Sequence, residues 1–116
     1  MAKSYIKFET PKDIQAKALE AITIAADTGR IRKGANEATK AIERGTAKLV
    51  VYAKDVQPQE VIMHIPLLAK EHNVPCIAVN SKEELGDAAG VGRPTAAIAI
   101  IEEGDAKKLI EQLKEA

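Results

Sequence analysis

Asn36, Glu37, Lys40 and Arg44 bring an amide, a carboxylate and two cations into one short segment. Such a set can read a nucleobase. A carboxylate only accepts hydrogen bonds, whereas an amide both donates and accepts. Guanine presents donors on one edge and the acceptors O6 and N7 on another. Glu37 suits the donors and Lys40 the acceptors. The steps from Asn36 to Lys40 and from Lys40 to Arg44 are each four residues, so the three share one face of a helix. Gly34 breaks the chain just ahead, after Arg30, Arg32 and Lys33. A helix starting there would point unpaired N–H groups at an anion such as a phosphate. A plainer reading competes: Asn36 caps the helix, Glu37 complements its dipole, and Lys40 and Arg44 are solvated. These residues alone leave both readings open.

A second segment has chemistry of a different kind. Leu85-Gly-Asp-Ala-Ala-Gly-Val-Gly-Arg-Pro94 puts an apolar tip, Val91, on a glycine-rich connection. With Lys82 and Arg93 on its flanks, it suits an unstacked nucleotide: apolar atoms support the base and cations hold its phosphates. Gly90-Val-Gly92 lacks the Gly-Lys-Ser/Thr ending of a phosphate loop, and no GxGxxG is present. His64 and His72 have no Ser, Cys or carboxylate partner at motif spacing, so catalysis finds no constellation. Cys76 lies in the apolar run Cys76-Ile-Ala-Val79 and reads as a buried structural thiol; no Cys/His set has zinc spacing. No metal or cofactor is expected.

These segments need elements to position them. At 116 residues with 46% hydrophobic content, the chain reads as one domain, residues 1–116, with its own core. Aromatics are limited to Tyr5, Phe8 and Tyr52. The core must be aliphatic, and RNA modules that stack bases on an aromatic sheet are disfavoured. Thr10 and Pro11 signal a helix start, and Gly29 a left-handed stop. Residues 30–33 suit a short strand, and Asn36 to Arg44 a helix ending at Gly45. Residues 48–53, 75–79 and 95–101 are continuous apolar runs rich in β-branched residues, hence buried strands. Pro58 opens a short helix and Pro66 a separate turn. Ser81 and Glu84 form a capping box, and Asp105 caps a last amphipathic helix. Buried strands alternating with helices predict an α/β class: a three-layer α/β/α sandwich around a small mixed sheet of about four strands.

The net charge is zero, but residues 1–50 hold ten Lys/Arg against six Asp/Glu, and residues 51–116 seven against eleven. Six cations between Arg30 and Lys48 face only Glu37 and Glu43. A local basic patch on a neutral chain suits a compact docking site; chance and solvated helix faces account for the charge equally well. No segment approaches the ~18 apolar residues of a membrane span and no secretory leader is evident. A cytoplasmic protein without membrane contacts is expected.

Gly34-Ala-Asn-Glu-Ala-Thr-Lys40 with Arg44-Gly45 resembles the signature of the L7Ae family of kink-turn RNA-binding proteins. Asp55-Val-Gln-Pro58, Ile65-Pro-Leu-Leu68, Asn73-Val-Pro75, Ser81-Lys82, Leu85-Gly86 and Ala89-Gly-Val-Gly-Arg-Pro94 follow in the family's order. The lack of long tails is similar to archaeal ribosomal members. The resemblance implies a non-enzymatic protein, monomeric when free, that binds RNA bent at a three-nucleotide bulge beside sheared G·A pairs. Asn36, Glu37 and Lys40 would contact the guanines, with Arg44 in support and Lys33, Gly34 and Thr39 near the backbone. Gln57, Val61, Lys82 and Ala96 would pocket the bulged nucleotide, with Val91 and Arg93 resting on the RNA. Some relatives carry Glu at the position of Gln57 and a larger aliphatic at that of Ala96. Implied partners are ribosomal RNA in the large subunit, box C/D and box H/ACA guide RNAs with their core proteins, and ribonuclease P RNA.

Two other classes compete. A small α/β enzyme or nucleotide-binding protein would use the Gly90–Gly92 loop and respond to a mononucleotide. A protein-interaction module would use the acidic C-terminal half.

Overall fold

The computed structural model describes residues 11–57 and 60–114. Helix α1 (Lys12–Thr28) buries Ala18, Ala21, Ile22 and Ala25 along one side. Pro11 stands at its capping position, not inside the first turn. Thr10, expected as the cap, lies outside the described residues, as do Tyr5, Phe8 and Pro58. Gly29 follows α1 with φ −126, so it is not the expected left-handed stop. Glycine is required there for space: a Cβ would strike the Glu102 carbonyl and the Gly104 nitrogen.

The remaining elements are β1 (Arg30–Lys33), α2 (Ala35–Glu43), β2 (Leu49–Ala53), α3 (Glu60–Glu71), β3 (Cys76–Val79), α4 (Lys82–Ala88) and β4 (Ala97–Glu102). A 3-10 turn (Gly104–Ala106) leads into α5 (Lys107–Lys114). The four strands form one mixed sheet in the order β1-β4-β2-β3. β4 runs antiparallel to both β1 and β2, and β2 runs parallel to β3. Every residue of β2 is buried, as its apolar run demands. The edge strand β1 is mostly exposed and carries Arg30, Arg32 and Lys33, charges that discourage edge-to-edge pairing. Helices α2 and α3 pack on each other and on the sheet, while α1 packs with α4, α5 and the opposite face. The core is aliphatic: Ile22, Ile42, Leu49, Ile65, Leu85, Ile98, Ile100 and Ile110 are fully buried.

The bounds of β2, β3 and β4 shift by one or two residues, and three helix readings differ from the sequence expectation. α3 is a single helix with Pro66 inside it. Proline removes one backbone donor, but Ile62, Ile65 and Ala69 are buried along the same helix and hold it together. Asp105 lies within the 3-10 turn and caps nothing; its own N–H donates to Thr28 Oγ1 at 2.9 Å. α2 begins at Ala35, with Gly34 at its cap, so Asn36 is the second helical residue.

Tyr52 and Cys76 lie on neighbouring strands, where Val50 pairs with Cys76 and Tyr52 with Ala78. Cys76, expected to be buried, keeps part of its surface exposed at the start of β3; the packing around its thiol still pushes it up from 9.0 to about 12. Burial, and then proximity to Cys76, pushes the Tyr52 phenol up from 10.0 to about 12. Both groups therefore hold their protons more tightly folded than unfolded. Their contribution to stability is intact below about pH 9 and is lost as pH rises toward about 12, where the unfolded chain ionises first. The urea midpoint is expected to fall on going from about pH 8 to about pH 11, and Cys76→Val to flatten part of that fall. An unchanged slope in the variant would exclude the thiol as a source.

Candidate nucleic-acid interface

The topology gathers the candidate residues at one end of the sheet. The carboxyl ends of β1, β2 and β3 lie beside the amino end of β4. Gly34, Gln57, Lys82 and Ala96 stand just beyond those ends. Backbone hydrogen bonds join them: Gly34 N–H donates to Ala97 O at 2.7 Å, and Ala53 N–H to Ala96 O at 2.9 Å. Lys82 N–H donates to Asp55 Oδ1 at 2.9 Å, and Thr95 N–H to Lys82 O at 3.0 Å. Loops distant in sequence thus form one continuous edge.

Gly34 turns the chain from β1 into α2 with φ 105, a conformation that side chains bearing a Cβ rarely adopt. The first intrahelical bond runs from Ala38 N–H to Gly34 O at 2.9 Å. The N–H groups of Ala35, Asn36 and Glu37 precede it and have no acceptor within the helix. With Gly34 as cap and no side-chain capping bond, the capping explanation of Asn36 falls. Asn36, Glu37, Lys40 and Arg44 are all exposed. Lys40 Nζ lies 3.8 Å from Glu37 Oε2, so donor and acceptor sit side by side. Such an exposed pair is worth little as a stabilising contact and is readily exchanged for a ligand. Arg44 follows the last helical residue. Between it, Arg32, Glu37, Ala41, Thr46 and Ile101 lies a hollow of about 100 Å³. Lys33 is exposed at the end of β1.

Thr39 is differently occupied. Its hydroxyl donates to Ala35 O at 2.8 Å and meets His64 Nε2 at 2.9 Å. A hydroxyl has one proton, so with that proton on Ala35 O, the His64 tautomer that carries hydrogen on Nε2 completes the pair by donating to Thr39. His64, which has no partner by motif spacing, therefore links α3 to α2.

On the other flank, Lys82 opens α4 behind Ser81, whose Oγ accepts from Glu84 N–H at 3.2 Å. The serine half of the expected capping box is formed. Gln57 and Arg93 are exposed, and Val91 and Ala96 partly so. The Val61 side chain lies outside the described residues; its backbone is in the first turn of α3. Gly86 is buried, and a Cβ there would run into the Arg93 carbonyl. The loop carrying Val91 and Arg93 therefore rests directly on the α4 backbone. Tyr52, the one aromatic among the described residues, is buried and offers no stacking platform.

Asp55 was not marked out by chemistry in the sequence, and the Thr39–His64 pair was missed. Both contacts join distant segments, and no local spacing signals them.

Fold and edge together define an α/β/α sandwich presenting polar loops beside the ends of its strands, where open α/β sheets commonly receive ligands. The chain belongs to the Ribosomal protein L7Ae/L30e/S12e/Gadd45 family, which residues 16–110 match. A similar solved structure is the Giardia lamblia 15.5kD RNA binding protein, 30% identical. The match covers 91% of this chain and 88% of that one, with a TM-score of 0.86.

Proposed function

We propose that this protein binds RNA without catalysing its reaction, and that it recognises kink-turns. The observation that carries the proposal is the exposed Asn36, Glu37 and Lys40 set at the mouth of a glycine-capped helix. The helix mouth shares its sheet end with Lys82. An acceptor beside a cation matches the two edges of a guanine, and Asn36 adds an amide free of capping duty. Guanines in sheared G·A pairs expose those edges in a widened groove. Gln57, Val61, Lys82, Val91, Arg93 and Ala96 would receive the bulged nucleotide, and Arg32, Lys33 and Arg44 would offset phosphates crowded by the bend. The RNA-binding description of the Giardia relative supports the same class of ligand. Binding stabilises the bent RNA because the surface favours that state over open forms. The proposed settings are ribosomal RNA in the large subunit, box C/D and H/ACA guide RNAs and ribonuclease P RNA, in an archaeal cytoplasm.

The test is anisotropy at fixed salt, with labelled kink-turn RNA and a fully paired duplex of equal length. The kink-turn should bind tighter by at least tenfold, about 1.4 kcal/mol. Labels on the two RNA arms should report their approach as protein is added. Equal affinity for both RNAs, dominated by phosphate contacts, would overturn the proposal.

A further inference from the structure

We infer that Asp55 is a positioning residue for the bulged-nucleotide pocket, an inference that rests on the kink-turn reading above. Asp55 is an exposed carboxylate just beyond β2. A negative charge there should repel RNA, and electrostatics alone would make its removal beneficial. Its contact says otherwise. Asp55 Oδ1 accepts the Lys82 N–H at 2.9 Å. That N–H belongs to the first residue of α4, a position with no acceptor inside the helix. The carboxylate also faces the positive end of the helix dipole.

The same peptide segment is held from its other side. Lys82 O accepts the Thr95 N–H at 3.0 Å, and Thr95 Oγ1 donates to Arg93 O at 3.3 Å. One residue before Ser81, Asn80 N–H donates to the buried Gln15 Oε1 at 3.0 Å. The Lys82 backbone thus joins three connections. The first holds Asp55 and Gln57, the second Lys82, and the third Val91, Arg93 and Ala96. Each supplies part of the pocket, and Asp55 ties the first to the other two. Without its carboxylate, the backbone bonds of Ala53 with Ala96 O and of Lys54 with Val79 O still tie the first connection to its neighbours, but Lys82 and Gln57 are held less closely. The base then meets a wider and less ordered opening.

The experiment compares wild type, Asp55→Ala and Asp55→Asn on two RNAs. One is an intact kink-turn; the other is the same RNA with an abasic site at the bulged position. Melting temperatures accompany each protein. Asp55→Ala should weaken binding to the intact RNA by roughly three- to tenfold, the range of one hydrogen bond. It should change binding to the abasic RNA by less than about twofold. Asp55→Asn keeps an oxygen acceptor and should restore most of the loss. Unchanged or tighter binding by Asp55→Ala on the intact RNA would overturn the inference, leaving only a repulsive charge. Equal loss on both RNAs would also overturn it, assigning Asp55 to fold stability. A wild-type protein that binds kink-turn and duplex alike would bring down the underlying reading as well. A preference for the kink-turn without a base-dependent Asp55 effect brings down this inference alone.

Discussion

Glu37→Ala is expected to weaken kink-turn binding by about 5- to 150-fold, the ~1–3 kcal/mol of a good bidentate base contact. The same change should leave a plain duplex bound equally or slightly more tightly. The opposite signs follow from the charge. Against phosphates, an exposed carboxylate is a liability, and its loss helps. Against guanine donors it is an acceptor that alanine cannot replace, and the donors are left unpaired. Glu37 is suited to the second role by its place in the first turn of α2, with Lys40 Nζ 3.8 Å away. Glu37→Gln keeps one acceptor oxygen and should fall between. Titrations of all three proteins on both RNAs check this; parallel losses on the two RNAs would sink base reading by Glu37.

Gly86→Ala is expected to be the most damaging single methyl addition in the second loop region. The added Cβ would run into the Arg93 carbonyl, with Thr95 Oγ1 3.2 Å away. Both neighbours belong to a segment tied to Lys82, so relief requires the loop to lift from α4. Overpacking of this kind typically costs ~1–3 kcal/mol, which lowers Tm by about 5–15 °C in a domain of this size. Gly90→Ala is the control. Open space surrounds that Cβ, but φ is +75, so it tests conformational cost without a clash. Thermal melts should rank Gly86→Ala below Gly90→Ala. At a temperature where both remain folded, Gly86→Ala should also bind RNA less tightly. Equal Tm values would show that the loop does not depend on close approach to α4.

Much of the architecture could be read in advance because its signals are local. β2, β3 and β4 announce themselves as unbroken apolar runs, since strands covered on both faces have no polar side to show. Pro66 misled because its local cost is certain, whereas the burial of Ile62, Ile65 and Ala69 that outweighs it is tertiary. Asn36 is a good capping residue, so local chemistry alone starts α2 one residue late. Only the backbone at Gly34 shows that the cap is already taken. At the interface, the shared face of Asn36, Lys40 and Arg44 follows from helical spacing. The contacts of Asp55 with Lys82 and of Thr39 with His64 cross 27 and 25 residues. No periodicity encodes them; they depend on which strands become neighbours.

The hydrogen bonds linking Gly34, Ala53, Lys82 and Thr95 across the sheet end determine who bears the entropy of association. The backbone that carries the contact residues is ordered during folding, before any RNA arrives. Under the proposed reading, the freedom surrendered on binding then belongs chiefly to the RNA, which must abandon its open forms. One protein surface would rank its RNAs by how stiffly each already bends. Ions or neighbouring helices that prefold the RNA would tighten binding without touching the protein.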